Sequence, residues 1–76
     1  MKSNIAIFGS TGSIGDNTLE IIRKDKKNFN VFLLTANNNY KKLIKQIIEF
    51  KPKNIIIYND KYYSILKKKF KRKKIN

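Results

Sequence analysis

Gly9-Ser10-Thr11-Gly12-Ser13-Ile14-Gly15 contains all three glycines of this 76-residue chain. The run directly follows Asn4-Ile5-Ala6-Ile7-Phe8, an apolar segment typical of a strand buried on both faces. It leads into an apolar stripe at helical spacing from Ile14 to Ile22, which predicts a helix to about Lys26. A glycine turn between a strand and a helix exposes the first helical amides to a pyrophosphate. The stretch therefore predicts a phosphate-binding loop.

The spacing within this loop narrows the type of nucleotide. It is G-x-x-G-x-x-G and lacks the Gly-Lys-Ser/Thr ending of an ATP-hydrolysing P-loop. We expect Gly9 to make the tight exit from the strand, Gly12 to admit the phosphates without a Cβ, and Gly15 to let the helix pack close to the sheet. Ser13 and Asp16 have the spacing of a capping box at the start of the helix. The loop thus favours a dinucleotide.

Two more strand and helix pairs follow the loop. Strands are predicted at 30–36 and 54–58, and the residues Tyr40, Leu43, Ile44, Ile47 and Ile48 predict a helix that ends before Pro52. A weaker helical stripe from Tyr62 to Phe70 runs into the lysine-rich segment Lys67–Lys74. The alternation predicts an α/β fold, half of a Rossmann-like doubly wound sheet with three parallel strands in the order βαβαβα.

The end of the second strand indicates which cofactor is bound. NAD-binding sites place an acidic residue about 20 residues after the glycines, where it holds the ribose 2′-hydroxyl. Here that place is Asn37-Asn38-Asn39, and no acid occurs between Asp25 and Glu49. Amides, with Lys41 and Lys42 nearby, accommodate a 2′-phosphate. NADPH is therefore the predicted cofactor.

The amino-acid composition excludes some classes of function and leaves others open. The chain has no cysteine or histidine and is long enough for one small domain, and its lack of a long apolar run predicts a cytoplasmic protein without membrane contact. The net charge of +13 is consistent with A/T-rich codons, since lysine, asparagine and isoleucine dominate. It also leaves open a small nucleic-acid-binding module that uses the Lys67–Lys74 tail. A third hypothesis is a nucleotide-binding half-domain that dimerises.

The residues also resemble one known family. The glycine run, the Thr18-Leu19 pair, the second strand and the Glu49-Phe50-Lys51-Pro52 helix end are similar to the opening of 1-deoxy-D-xylulose 5-phosphate reductoisomerase, in register over nearly the whole chain. The resemblance implies cofactor contacts at Thr11, Gly12, Ser13 and Ile14 and at Asn37, Asn38 and Asn39. The family often has Gly-Lys-Asn at the second stretch, so here Asn38 replaces a lysine. Asp16 is unusual beside a phosphate.

The family implies more than this chain contains. Its members convert 1-deoxy-D-xylulose 5-phosphate to 2-C-methyl-D-erythritol 4-phosphate in isoprenoid precursor synthesis, with NADPH and a divalent metal, Mg or Mn, and a homodimer is expected for the complete enzyme. The metal carboxylates, the substrate-phosphate ligands and the C-terminal domain lie beyond the matched part. We therefore expect residues 1–76 to be the N-terminal portion of an NADPH-binding domain, with no catalytic or metal-binding residue and no catalysis by the chain alone.

Overall fold

The architecture is a parallel sheet whose strands are joined by helices. A computed structural model of the protein describes residues 2–70 and the backbone of residues 74–75. The strands are β1 Ser3–Ile7, β2 Phe29–Ala36, β3 Asn54–Ile57 and β4 Lys74–Ile75. The helices are α1 Ser13–Arg23, α2 Tyr40–Phe50 and α3 Asp60–Lys69, and a single 3₁₀ turn at Lys26–Asn28 precedes β2. The predicted α/β fold with three parallel strands is confirmed.

The fourth strand, β4, was not predicted. It pairs with β3 at two positions, Asn54 with Lys74 and Ile55 with Ile75. The helix before it ends at Lys69, where the Phe70 amide donates to the Leu66 carbonyl. A two-residue strand is too short to show an alternation of apolar and polar residues, so the sequence pattern does not predict it. Its assignment depends on its pairing with β3.

All three helices lie side by side on one face of the sheet. The strand order is β1-β2-β3-β4, and right-handed crossovers that always step in the same direction place their helices on the same side. The contacts agree with this arrangement. Arg23 of α1 pairs with Glu49 of α2, and Tyr40 of α2 stacks on Tyr62 of α3 with ring centroids 4.4 Å apart. Helix α2 therefore lies between α1 and α3.

The two faces of the sheet differ in burial. The hydrophobic core lies between the sheet and the helices, and its buried strand residues are Ile7, Val31, Leu34, Ala36, Ile55 and Ile57. On the other face, Phe32 is 40% exposed and Ala6 is also exposed. The prediction that the first strand is buried on both faces was wrong, because the described helices cover only one face and β1 lies at the edge of the sheet.

The helices anchor this core through few residues each. Leu19 of α1, Leu43 and Ile47 of α2 and Leu66 of α3 are at most 1% exposed. Burial of one such side chain stabilises the fold by about 1.5 to 3 kcal/mol. Since the sheet positions these helices, it also positions their amino-terminal ends, which meet at the edge where the strands finish.

Candidate cofactor site

The glycine loop leaves β1 in a conformation that requires glycine at two positions. Gly9 has φ +70°, a left-handed conformation that side chains rarely adopt. A Cβ at Gly15 would lie 2.4 Å from the carbonyl oxygen of Gly9 and 2.6 Å from the Cα of Ser10. The first turn of α1 therefore packs directly on the loop backbone. The tight exit expected at Gly9 is confirmed. Gly15 does allow close packing of the helix, but the close contact is with the backbone of the loop and not with the sheet.

Gly12 differs from the other two glycines. It has φ −81° and ψ 174°, an extended conformation open to any residue, and a Cβ there would meet only the Gly9 oxygen at 3.5 Å. The backbone of the loop therefore does not require glycine at this position. Its predicted role, to leave room for phosphates, is compatible with this geometry and stays a prediction.

The start of α1 leaves amide donors unpaired. The N-cap is Gly12, and no side chain caps the helix, so the predicted capping box of Ser13 and Asp16 was wrong. Ser13 is instead the first helical residue. The amides of Thr11, Ser13 and Ile14 have no hydrogen-bond partner in the described part of the chain. They lie at the positive end of the helix dipole, where an anion is favoured.

A network of buried hydrogen bonds supports the loop from the side of the sheet and helix α2, and the sequence analysis did not predict it. The Gly9 amide donates to Thr35 Oγ1 and the Ser10 amide to the Thr35 carbonyl, each at 2.8 Å. Gln46 of α2 accepts from Ser10 Oγ and donates to the Ser10 carbonyl, also at 2.8 Å. The sequence contained one indication of this burial. Gln46 lies three residues after Leu43, and this spacing places both residues on the same, buried side of α2.

The three predicted asparagines lie at the end of β2, on the same edge of the sheet as the loop. Asn39 is the N-cap of α2, and its side chain accepts from the Lys42 amide at 3.2 Å. Asn38 Oδ1 accepts from the Asn59 side chain at 3.0 Å, which ties together the loops after β2 and β3. Asn37 is exposed and has no partner among residues 2–70. The structure thus places both predicted contact stretches together.

The carboxylate of Asp16, in the first turn of α1, has a partner. Lys42 Nζ lies 3.1 Å from Asp16 Oδ2, and both side chains are partly exposed. The charge that would repel a phosphate is thereby neutralised within the chain. Lys41, by contrast, is exposed and makes no polar contact with the described residues.

A second ion pair joins the same two helices at the opposite edge of the sheet. Arg23 contacts Glu49 in a bidentate arrangement and also contacts Glu20. The hydrogen bond from the Arg23 guanidinium lowers the pKa of the Glu49 carboxyl below its ordinary value, although partial desolvation opposes the shift. A cavity of about 410 Å³ lies at this edge, with Lys2, Lys26, Lys51 and Lys53 in its lining. It is remote from the glycine loop.

Other kinds of site find no support in residues 2–70. These residues contain no group of three acidic, histidine or cysteine side chains that could hold a metal ion. None of their helices is long and apolar enough to cross a membrane. The lysines Lys67, Lys68 and Lys69 form the last turn of α3, and residues 71–73 of the basic tail lie outside the described residues.

A glycine loop at the carboxyl end of the first parallel strand, with unpaired helix amides beside the end of the second strand, defines a dinucleotide-binding domain of the Rossmann type. Comparison with known proteins names the family. The family model described as 1-deoxy-D-xylulose 5-phosphate reductoisomerase matches residues 5–76. The chain belongs to this family.

Relatives and solved structures agree with this assignment. The reductoisomerase of Pelagibacter ubique (strain HTCC1062) is 54% identical over 71 residues, which are 93% of this chain and 18% of the relative. That of Porphyromonas gingivalis (strain W83) is 53% identical over 66 residues, 87% of this chain and 17% of the relative. The chain spans about a fifth of the length of the relatives it matches.

Two solved structures have a similar backbone over the part that aligns with this chain. The reductoisomerase from Zymomonas mobilis in complex with NADPH superposes with a TM-score of 0.88 at 29% identity, over 100% of this chain and 20% of that one. A DOX-P reductoisomerase in complex with NADPH, fosmidomycin and magnesium gives a TM-score of 0.88 at 33% identity, over 99% of this chain and 19% of that one. Both are complexes with NADPH.

Proposed function

We propose that this chain is the amino-terminal part of the NADPH-binding domain of a reductoisomerase. The complete enzyme would convert 1-deoxy-D-xylulose 5-phosphate to 2-C-methyl-D-erythritol 4-phosphate in isoprenoid precursor synthesis. Support comes from family membership and from solved neighbours that hold NADPH and magnesium. Since residues 2–70 offer no group of metal ligands, the metal-dependent chemistry belongs to the rest of such an enzyme, and we expect no catalysis by this chain alone.

The observation that carries the proposal is the set of unpaired amides at Thr11, Ser13 and Ile14. A pyrophosphate is a diffuse anion with many acceptor oxygens, so it matches several N–H donors at a helix start. A hydrogen bond to a charged group stabilises by about 1.5 to 3 kcal/mol, and the helix dipole adds about 0.3 to 1 kcal/mol. We propose Thr11, Gly12, Ser13 and Ile14 as the pyrophosphate contacts.

The second contact stretch would select the phosphorylated cofactor. Asn37, Asn38 and Asn39 are exposed beside the loop and carry no negative charge. A carboxylate at this place would repel a 2′-phosphate, whereas amide groups donate hydrogen bonds to it. Lys42, on the first turn of α2, adds a cation that is paired with Asp16. The geometry therefore supports NADPH over NADH.

The finer properties of the complete enzyme belong to the same proposal. We propose a small phosphorylated sugar as its substrate, a homodimer as its assembly and the cytoplasm as its location. Family membership supports the proposed substrate, and all three proposals concern the complete enzyme.

A charge placed at the start of α1 tests the cofactor site. Ser13→Glu puts a carboxylate at an exposed helical N-terminus, which suits the helix dipole but repels a pyrophosphate. We expect the 76-residue chain to bind NADPH saturably in calorimetric titration and the variant to bind about tenfold more weakly. Asn17→Glu makes the same charge change one turn further along α1 and serves as the matched control.

The result that would reject the proposal is equally definite. Either a folded chain without saturable NADPH binding, or equal losses in Ser13→Glu and Asn17→Glu, would remove the loop as the cofactor site. Circular dichroism of each variant establishes that it is folded.

Nucleic-acid binding gains no support from the structure. The aromatic residues that could stack on bases, Tyr62, Tyr63 and Phe70, pack against the hydrophobic core, and Tyr62 also stacks on Tyr40. Lys67–Lys69 suit the negative end of the dipole of α3, where lysines are common for structural reasons. We therefore set this alternative aside.

A further inference from the structure

The buried polar side chains of residues 2–70 all meet at one place. Ser10, Thr35 and Gln46 are 0%, 2% and 5% exposed, and they are the buried polar residues of the described chain. Ser10 belongs to the glycine loop, and Thr35 and Gln46 lie beneath it; the three residues bond to one another or to the loop backbone. Buried polar groups persist where their hydrogen bonds are satisfied, and here each side chain has a partner. The cluster is therefore a defined piece of structure under the loop.

Gln46 makes the long-range part of this cluster. It lies 36 residues from Ser10 in sequence, and its amide group engages Ser10 twice. Oε1 accepts from Ser10 Oγ, while Nε2 donates to the Ser10 carbonyl oxygen. Its neighbours Leu43 and Ile47 on α2 are buried in the core, so an apolar residue at position 46 would extend that contact. The position instead holds a side chain that satisfies the loop backbone.

The planarity of the peptide bond gives this contact a direction. The Ser10 carbonyl and the Thr11 N–H belong to one peptide plane and point in opposite directions. Because Gln46 holds that carbonyl towards α2, the Thr11 N–H points away from α2. This amide is one of the donors in the loop and the first turn of α1 that have no partner in the described residues. The side chain of Gln46 thus sets the orientation of a donor that it does not touch.

We propose that Gln46 is a positioning residue that aims the Thr11 amide at the cofactor phosphates. The inference rests on the proposed function, because it assumes that the loop receives the pyrophosphate of NADPH. Helix α2 then serves both ends of the cofactor. It begins at the cap Asn39, beside the 2′-phosphate, and it fixes the loop through Gln46, seven residues or about 10 Å further along.

Substitutions at Gln46 separate orientation from stability. Gln46→Met keeps the length of the side chain and removes both hydrogen bonds to Ser10. We expect it to weaken binding of NADP⁺, the acid-stable form of the cofactor, about tenfold in the 76-residue chain. Ile47→Val is the control for a change in the neighbouring core position, and we expect its affinity to remain within about twofold of the wild type. Chemical denaturation reports the stability of each variant.

A carboxyl at the same position adds a pH signature. Gln46→Glu in its protonated form retains one acceptor and one donor, as the amide does, whereas the ionised form lacks the donor. We therefore expect NADP⁺ affinity of this variant, relative to the wild type, to rise as the pH falls and the carboxyl is protonated. A purely structural effect on the core would leave that ratio unchanged at pH values where both proteins stay folded.

Ser10→Ala gives a second variant if Gln46→Met fails to fold. It removes the bond from Oγ but keeps the carbonyl that Gln46 holds, so we expect a smaller loss of affinity than in Gln46→Met or Gln46→Glu at neutral pH. A loss in Ser10→Ala as large as in Gln46→Glu would show that the carbonyl contact does not matter and would overturn the inference.

Binding measurements, together with the NMR amide resonances of the ligand-free chain, distinguish failure of this inference from failure of the proposed function. If the wild type binds NADP⁺ and the Gln46 variants bind equally well, with an unchanged Thr11 amide signal, the inference fails and the proposed function stands. If the folded wild type does not bind NADP⁺ at all, the proposed function fails, and this inference fails with it. Support requires both weakened binding and a shifted Thr11 amide in Gln46→Glu at neutral pH.

Discussion

Different kinds of interaction stabilise the two edges of the sheet. At the carboxyl edge, the loop rests on buried hydrogen bonds among Ser10, Thr35 and Gln46. At the amino edge, α1 and α2 are joined by the exposed pair of Arg23 and Glu49 beside a lysine-lined cavity. Water and salt screen the second kind of contact and leave the first almost untouched. The edge proposed to bind the cofactor is thus the one whose geometry depends least on the solvent.

The comparison also explains where the charge lies. Asp16 with Lys42 and Arg23 with Glu49 both bridge α1 and α2, but only the first pair borders the glycine loop. A balanced pair beside the loop leaves the helix amides as the main attraction for an anion. Four of the 18 basic residues, Lys2, Lys26, Lys51 and Lys53, line the distant cavity and do not border the glycine loop.

The largest expected effect is loss of the close packing at Gly15. Gly15→Ala places a methyl group 2.4 Å from the Gly9 oxygen, so the loop backbone must move. We expect a loss of about 3 kcal/mol in the free energy of unfolding, measured by urea denaturation. Gly12→Ala is the matched control, since its Cβ meets nothing closer than 3.5 Å. Equal stability losses in the two variants would contradict the described loop geometry.

A smaller effect is expected at the ion pair beside the loop. Asp16→Asn removes a negative charge near the phosphates and should strengthen NADPH binding about threefold, whereas Lys42→Gln should weaken it about threefold. Both changes should shrink at high salt, because the groups are exposed. Lys41→Gln, the same change at a residue without a polar contact, is the control in the titration. A larger loss in Lys41→Gln than in Lys42→Gln would show that a different cation faces the cofactor.

The smallest effect is expected at the amino edge, and it depends on pH. The folded pKa of Glu49 is lowered, so its contribution to stability is present above the ordinary value of 4.5 and is lost as the pH falls through the folded value. Glu49→Gln should therefore be slightly less stable than the wild type at pH 7, and the difference should vanish in acid. Thermal unfolding at several pH values, with and without added salt, measures it. A difference independent of pH would mean that packing, not charge, joins the helices there.

Local sequence patterns were sufficient for the main strands, the helices and the glycine loop. The loop could be read because only glycine permits the turn at Gly9 and the close approach at Gly15. Helix α2 could be predicted because its apolar residues recur at helical spacing. The helix ends at Phe50, and the next residue, Lys51, adopts a left-handed conformation with φ 50°. The capping box failed, because the loop itself supplies Gly12 as the N-cap and no side chain bonds to the free amides.

The sequence by itself determined the alternation of strands and helices, the phosphate-type turn and the absence of an acid after the second strand, since each is a local property of residue type and spacing. Only the tertiary structure decided which faces are covered and what lies beneath the loop. The strand β4, the open face at Phe32 and the bonds from Gln46 to Ser10 all depend on residues far apart in the chain. The sequence around Gln46 does not indicate which carbonyl its side chain will bind, because that hydrogen bond forms only when the sheet places α2 under the loop.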